Sequence, residues 1–353
     1  MLHHGGRLIQ EAQQRNSDPQ QWLDLSTGIS PISYPVPEIP TSVWHRLPED
    51  EDGLVEAAAQ YYQYPDLLPV AGSQAAIMCL PSVLEVDLLK KGTMLLPAVG
   101  YKEHEHAWQS AGWRLEYYQN KPDNDQLSRC DVVLIINPNN PTTYKYSLKE
   151  ITVIEGQLSA RQVLLIDEAF MDGDNDNSRL RTLLRENTLV LRSLGKFFGL
   201  AGLRVGFVAA HPKWLSSMQQ ALGPWNLSGP SRYVAKTALL DTTWQRKAQK
   251  ALESLRLKQQ RLIERVLPQA SITSASLFIR VEHPQAQLMY QYCCDEMVLV
   301  RLCDEKDAIR LGLCADEQQL QRLELALIEA QRRINTDCSY DASNDLAGTS
   351  WNI

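Results

Sequence analysis

Asn140, Asp167 and Lys196 are the residues around which this chain could build a reaction centre. Each follows closely on a continuous run of β-branched residues and leucine, in DVVLIINPNNP (131–141), RQVLLIDEAF (161–170) and NTLVLRSLGK (187–196). Such runs mark strands buried on both faces, as in a parallel sheet covered by helices. The three polar residues are 27 and 29 positions apart, about the length of a βαβ unit, so the sheet would collect them at one edge. A lysine in apolar surroundings either snorkels into an ion pair or has a depressed amine pKa and forms an imine with a carbonyl compound. The amide and carboxylate beside Lys196 favour the second use.

Pyridoxal phosphate (PLP) asks a protein for five things. These are an amine for its aldehyde, a carboxylate for its pyridine nitrogen, a donor for its phenolic oxygen, a ring to stack on and an anion site for its phosphate. Lys196, Asp167 and Asn140 can meet the first three, and Tyr101, at the exit of TMLLPAVGY (93–101), can stack. Gly72, Ser73 and Gln74 open a helix in AGSQAAIMCLPSVL (71–84), where backbone N–H groups and the helix dipole favour an anion. Ser193 and Arg204 add a hydroxyl and a permanent cation to the same phosphate site.

The elements that must position these residues form an α/β fold, a mostly parallel sheet between helices, followed by a smaller α+β domain. EITVIEGQLSAR (150–161) and SRLRTLLREN (178–187) can supply crossover helices, and GLRVGFVAA (202–210) a strand antiparallel to its predecessor. Residues 230–266 have the helical spacing of one or two long helices. Strands are expected in 276–283, 297–303 and 308–314, and an amphipathic helix over 316–334. The expected organisation is an N-terminal arm (1–40) closing over the site, a large cofactor domain (41–229), a small domain (230–335) and a disordered tail (336–353).

Composition narrows the partners. The 353 residues are 44% hydrophobic and 22% charged, with a net charge of −7, which argues against nucleic acid or an anionic membrane. No apolar run approaches the ~18 residues of a membrane helix. The opening MLHHGGRLIQ lacks the apolar core of a secretory signal, and seven cysteines without CxxC spacing fit a reduced, cytoplasmic protein. No metal site is expected. His104-Glu105-His106 lacks HExxH spacing and reads as a charged helix start, DGDNDN (172–177) reads as a solvated loop, and Trp225 as core.

The ordered set AGSQ, NPNNPT, DEAF, SLGK and GLRVGF resembles the class I/II aminotransferase family of fold-type-I PLP enzymes. HGG, LDLSTGISP, DEAFMD and LRSLGKFFGLAGLRVGF resemble one branch of it, which decarboxylates O-phospho-L-threonine in cobalamin biosynthesis and is related to histidinol-phosphate aminotransferases. The similarity runs from about His4 to about Ile334. It implies that Lys196 is the Schiff-base lysine, that Asp167 meets the pyridinium and Asn140 the phenolic oxygen, and that Tyr101 stacks. It also implies a phosphate cup of Ser73, Gln74, Ser193 and Arg204. Arg310 would grip the substrate α-carboxylate, Arg301 would face its phosphate, and His4 and Gly28 would belong to N-terminal segments closing over the substrate. A homodimer acting on a small phosphorylated amino acid follows by the same resemblance.

The chain departs from the family pattern at three positions. Thr143 stands where the family has glycine, so that turn is expected to take another conformation. Phe170 replaces a tyrosine on the cofactor's phenolic oxygen, as the decarboxylase branch commonly does, and Leu47 replaces a tyrosine that reaches the neighbouring subunit. The alternatives left open are an aminotransferase of the histidinol-phosphate type and a non-catalytic PLP-fold regulator.

Overall fold

The computed structural model describes residues 5–347, with side chains described as far as residue 336. The described chain divides into two compact units, residues 32–251 and residues 5–31 joined to 252–347.

The larger unit is built on seven strands: β1 Leu67–Val70, β2 Thr93–Pro97, β3 Arg114–Tyr118, β4 Val132–Ile136, β5 Val163–Asp167, β6 Thr188–Ser193 and β7 Gly206–Ala209. Their order is β1-β7-β6-β5-β4-β2-β3, and only β7 runs antiparallel to its neighbours. VVLII, VLLID and TLVLRS are buried at every position, as their uninterrupted apolar runs require. Helix α1, Gly72–Leu88, lays Ala76, Ile77, Leu80, Val83 and Leu84 on one sheet face, in a core shared with Leu134, Leu165, Leu189 and Leu191. Each such leucine or isoleucine contributes roughly 1.5–3 kcal/mol by leaving water. Helix α2, Lys102–Ser110, adds Trp108 to that core, and α3, Leu148–Gln157, is the crossover between β4 and β5.

The crossover helix expected over 178–187 does not form. Residues 172–177 and Arg179–Arg181 make 3-10 turns instead. Arg179 is the cause: its buried guanidinium pairs with Glu155 at 2.8 Å and also donates to the carbonyls of Thr182 and Leu183, which a helix would have used itself. DGDNDN, read as a solvated loop, is only partly solvated: Asp176 and Asn177 are exposed, but Asp172 is buried against Arg192.

Helix α4, Leu194–Phe197, is followed, beyond β7 and a helix over Pro212–Leu222, by α5, Gly229–Leu240, and α6, Thr242–Val266. The change of texture at 230 suggested a boundary there, yet α5 belongs to the larger unit. Its buried Arg232 donates to Asp52 at 2.6 Å, and the division falls inside α6. The smaller unit holds an antiparallel sheet of β8 Ser271–Ala275, β9 Phe278–Glu282, β10 Arg301–Leu302 and β11 Ala308–Gly312, in the order β10-β11-β9-β8. Buried Gln259 of α6 ties this sheet down, donating to the Gly312 carbonyl and accepting from the Cys314 N–H, each at 2.7 Å. The last helix, α7, spans Glu317–Ala347 and so carries helical backbone beyond residue 336, where the sequence pattern suggested a disordered tail.

Candidate active site

The larger unit contains a cavity of about 620 Å³, mouth included. Ser73, Gln74, Tyr101, Asn140, Asp167, Phe170, Ser193, Lys196 and Arg204 line it. The strands explain the convergence. Side chains two residues apart share a sheet face, so Asp167 continues the face of Val163 and Leu165, and Ser193 that of Leu189 and Leu191. Both leave the core face where their strands end.

Asp167 is buried and doubly held. Its Oδ2 lies 2.8 Å from Nε2 of His104, and its Oδ1 accepts from the Ala169 N–H at 2.9 Å. His104 has no exposure, so the imidazole meets the Asp167 carboxylate out of contact with water. The expectation of a charged helix start is met by α2 as an element but misses this role. The available signal was spacing: His104 lies three residues after Tyr101, and one helical turn places the two rings edge to face with centroids 6.3 Å apart.

An anion cradle lies at the start of α1. Gly72 has φ +73°, and a Cβ there would fall 2.5 Å from Nη2 of Arg204, so the glycine lets the guanidinium lie against the first turn. Ala71 supplies no side-chain cap, so the first-turn N–H groups are left for another acceptor. Ser193 immediately precedes α4, which carries Lys196. Gly195 allows this short helix to meet the following turn, because a Cβ would sit 2.9 Å from Cα of Ala201. Nζ of Lys196 lies 5.4 Å from the centroid of the Phe170 ring. Across the cavity, Tyr101 donates to Gln74 at 3.4 Å, and Gln74 donates to Glu103 at 2.6 Å.

Asn140 sits in a turn closed by two backbone hydrogen bonds, from Thr143 N–H to the Asn139 carbonyl and from Asn139 N–H to the Tyr144 carbonyl, both 2.8 Å. Thr143 has φ +64°. The turn therefore keeps the left-handed conformation that suits glycine and imposes it on a β-branched residue, contrary to the expected change of shape. Leu47 is 63% exposed, and Trp225, expected in the core, is 60% exposed.

The remaining candidates belong to the smaller unit. Arg310 is buried in β11, donates to the Ser26 carbonyl at 2.6 Å and stands 5.5 Å from the ring centroid of Phe278. Arg301 is its register partner on β10, lies 3.7 Å from Asp304, and lines a small cavity with Arg7 and Ser26. Gly28 is buried just after the segment 25–27, which crosses the sheet at Gly312, where a Cβ would meet the Thr27 carbonyl at 2.3 Å. His4 lies outside the described residues. Arg280 was missed: it is the other register neighbour of Arg310, held by Glu282 and by Asp307 at 2.7 Å.

An amine, a carboxylate braced by histidine, an amide, an aromatic ring and a guanidinium–hydroxyl cradle lining one cavity form the donor set that fits PLP. The sequence matches the family described as Aminotransferase class I and II over residues 47–324. This chain belongs to that family. Among class I and II relatives, it is 39% identical to a threonine-phosphate decarboxylase of Pseudomonas aeruginosa, covering 93% of this chain and 98% of the other. It is 34% identical to a threonine-phosphate decarboxylase of Sinorhizobium sp, covering 92% and 97%. Among solved structures, the histidinol-phosphate aminotransferase of Sinorhizobium meliloti in complex with pyridoxal-5'-phosphate superposes with TM-score 0.79 at 16% identity, covering 95% of this chain and 99% of that one. At that identity the likeness establishes the fold, which is the α/β architecture with a smaller α+β part expected from the sequence.

Proposed function

We propose that this enzyme decarboxylates O-phospho-L-threonine to (R)-1-amino-2-propanol O-phosphate, with PLP as cofactor, in cobalamin biosynthesis. The observation that carries the reading is near-full-length similarity to two threonine-phosphate decarboxylases, at 39% and 34% identity. The cavity supports it by presenting a complete PLP donor set. When bound, PLP supplies an electron sink for the pair left at the substrate α-carbon as carbon dioxide departs.

In this reading Lys196 holds the cofactor's aldehyde carbon, and Asp167 keeps the ring nitrogen protonated with His104 fixing its carboxylate. Asn140 donates to the phenolic oxygen and Tyr101 covers the ring. Gly72, Ser73, Gln74, Ser193 and Arg204 take the cofactor phosphate. Arg310 would grip the substrate α-carboxylate, and how that group is held is the choice that separates loss of carbon dioxide from loss of a proton. Arg301 takes the substrate phosphate, and His4 and Gly28 belong to the segment over the substrate. Once the substrate amine takes its place on the aldehyde carbon, the freed amine of Lys196 would supply the proton that replaces the departing carboxylate. Phe170 offers no hydroxyl to the phenolic oxygen.

The enzyme works as a homodimer in the cytoplasm. Trp44 and Leu47, 62% and 63% exposed, give the larger unit apolar surface for a second copy to cover. Among the described residues six cysteines are free, which suits a reducing compartment, and no helix is long and apolar enough to cross a membrane.

The test is incubation with PLP and O-phospho-L-threonine, with and without 2-oxoglutarate. Stoichiometric carbon dioxide without the keto acid supports the reading. A keto product that requires 2-oxoglutarate and releases no carbon dioxide would overturn it.

A further inference from the structure

We propose that Glu168, Arg192 and Asp172 form a buried brace that positions the cofactor-holding face of the sheet from behind. The inference rests on reading the cavity as a PLP site. β5 and β6 are parallel neighbours, with Asp167 opposite Leu191. Because side chains alternate, Asp167 and Ser193 face the cavity while Glu168 and Arg192 project from the opposite face. There the guanidinium of Arg192 is wholly buried. Its Nη1 donates to Glu168 and to Ser178, each at 2.9 Å, and its Nη2 donates to Asp172 and Asn175. The ring of Tyr62 stacks on it, 4.6 Å from the guanidinium carbon. Both oxygens of Glu168 are engaged, one by Ser178 and Arg192, the other by the Arg179 N–H at 2.7 Å.

One guanidinium against two carboxylates is an inefficient way to stabilise a core, since apolar replacements of buried ion pairs are often as stable. Burial pushes the Asp172 carboxyl up even though Arg192 pulls it down. What the cluster supplies is geometry. It ties residues 168, 172, 175 and 178 to the residue just before Ser193, so the segment leaving β5 cannot shift against the end of β6. That segment includes Phe170, which faces Lys196, and the end of β6 leads directly into the helix that carries Lys196. The brace thus fixes the spacing between the carboxylate end and the amine end of the cavity. Glu168, Arg192 and Asp172 do not themselves line the cavity and act as positioning residues.

The experiment titrates PLP into wild type, Arg192→Gln, Arg192→Lys and Ser178→Ala. It reads the dissociation constant, the pH midpoint of the bound cofactor's visible band, and the melting temperature. The expected result is a dissociation constant raised roughly tenfold or more in Arg192→Gln, with partial recovery in Arg192→Lys, and roughly threefold in Ser178→Ala, each with a displaced midpoint. Variants that melt earlier but keep the wild-type constant and midpoint would show a structural pair only and overturn the brace. Should Arg192→Gln fail to fold, Ser178→Ala decides alone, and wild-type values there overturn the proposal. A wild type that takes up no PLP would instead reject the cavity reading, and the brace with it.

Discussion

The two units build their polar groups on different principles. In the larger unit, polar residues stand where buried parallel strands end, and residues from other elements hold them: His104 behind Asp167 and Arg192 behind Glu168. In the smaller unit, arginines stand inside antiparallel strands and meet by register, with Arg280, Arg310 and Arg301 as successive cross-strand neighbours. Like charges placed so are unfavourable unless something answers them. Here Asp307, Glu282, Asp304 and the Ser26 carbonyl do. One site is assembled by topology, the other by register.

That contrast predicts separable defects, and the largest belongs to the larger unit. Asp167→Ala should lower kcat/KM by ~10⁴-fold and weaken PLP uptake, because the ring nitrogen loses its counter-charge and His104 its partner. Steady-state kinetics beside a PLP titration would check it, and an intact titration would put the carboxylate elsewhere than on the cofactor. Arg310→Ala should cost ~10²-fold in kcat/KM, the loss of a charge-assisted grip, while PLP affinity holds. If both parameters fell together, the division of labour between the units would break.

A smaller effect separates the units by pH. Burial pushes the thiol of Cys130 in the larger unit, and those of Cys294 and Cys314 in the smaller, up to about 12. An unfolded thiol ionises near ~8.5, so above that pH the unfolded chain releases protons that the folded one retains. Stability should therefore be complete below pH ~8.5 and decline as pH rises toward 12, by less than ~1.4 kcal/mol per thiol per pH unit. Hydrogen exchange across that range should show the smaller unit loosening more steeply, and Cys314→Ala should flatten its slope. The smallest effect concerns the Asn140 turn. Thr143→Gly should raise stability by about 0.5 kcal/mol, since relief of a left-handed threonine slightly exceeds the added chain entropy. A lowered melting temperature would show that the turn is unstrained.

How legible each part was in the sequence follows from the same contrast. Strand ends in the larger unit announce themselves, because an apolar run such as VLLI breaks into Asp167 at a place the fold can use. His104 was hidden because Glu103 and Glu105 beside it give the segment the look of a surface helix, while its partner lies 63 residues away. Asp172 was hidden in an acidic run that is otherwise at least partly exposed, and only its pairing with Arg192 sets it apart. β8 was missed because SITSA alternates between exposed and half-buried positions, reaches burial only at Ala275, and has few apolar residues to reveal it. Arg280 beside Arg310 could not be read, since register is fixed by pairing and not by local composition.

On this reading the amine of Lys196 and the carboxylate of Asp167 share one bound cofactor. Visible absorption during a PLP titration of wild type and Lys196→Ala tests it most directly. The wild type should be yellow, and its visible band should disappear in Lys196→Ala. A colourless wild type, or a variant whose band matches the wild type's, would contradict it.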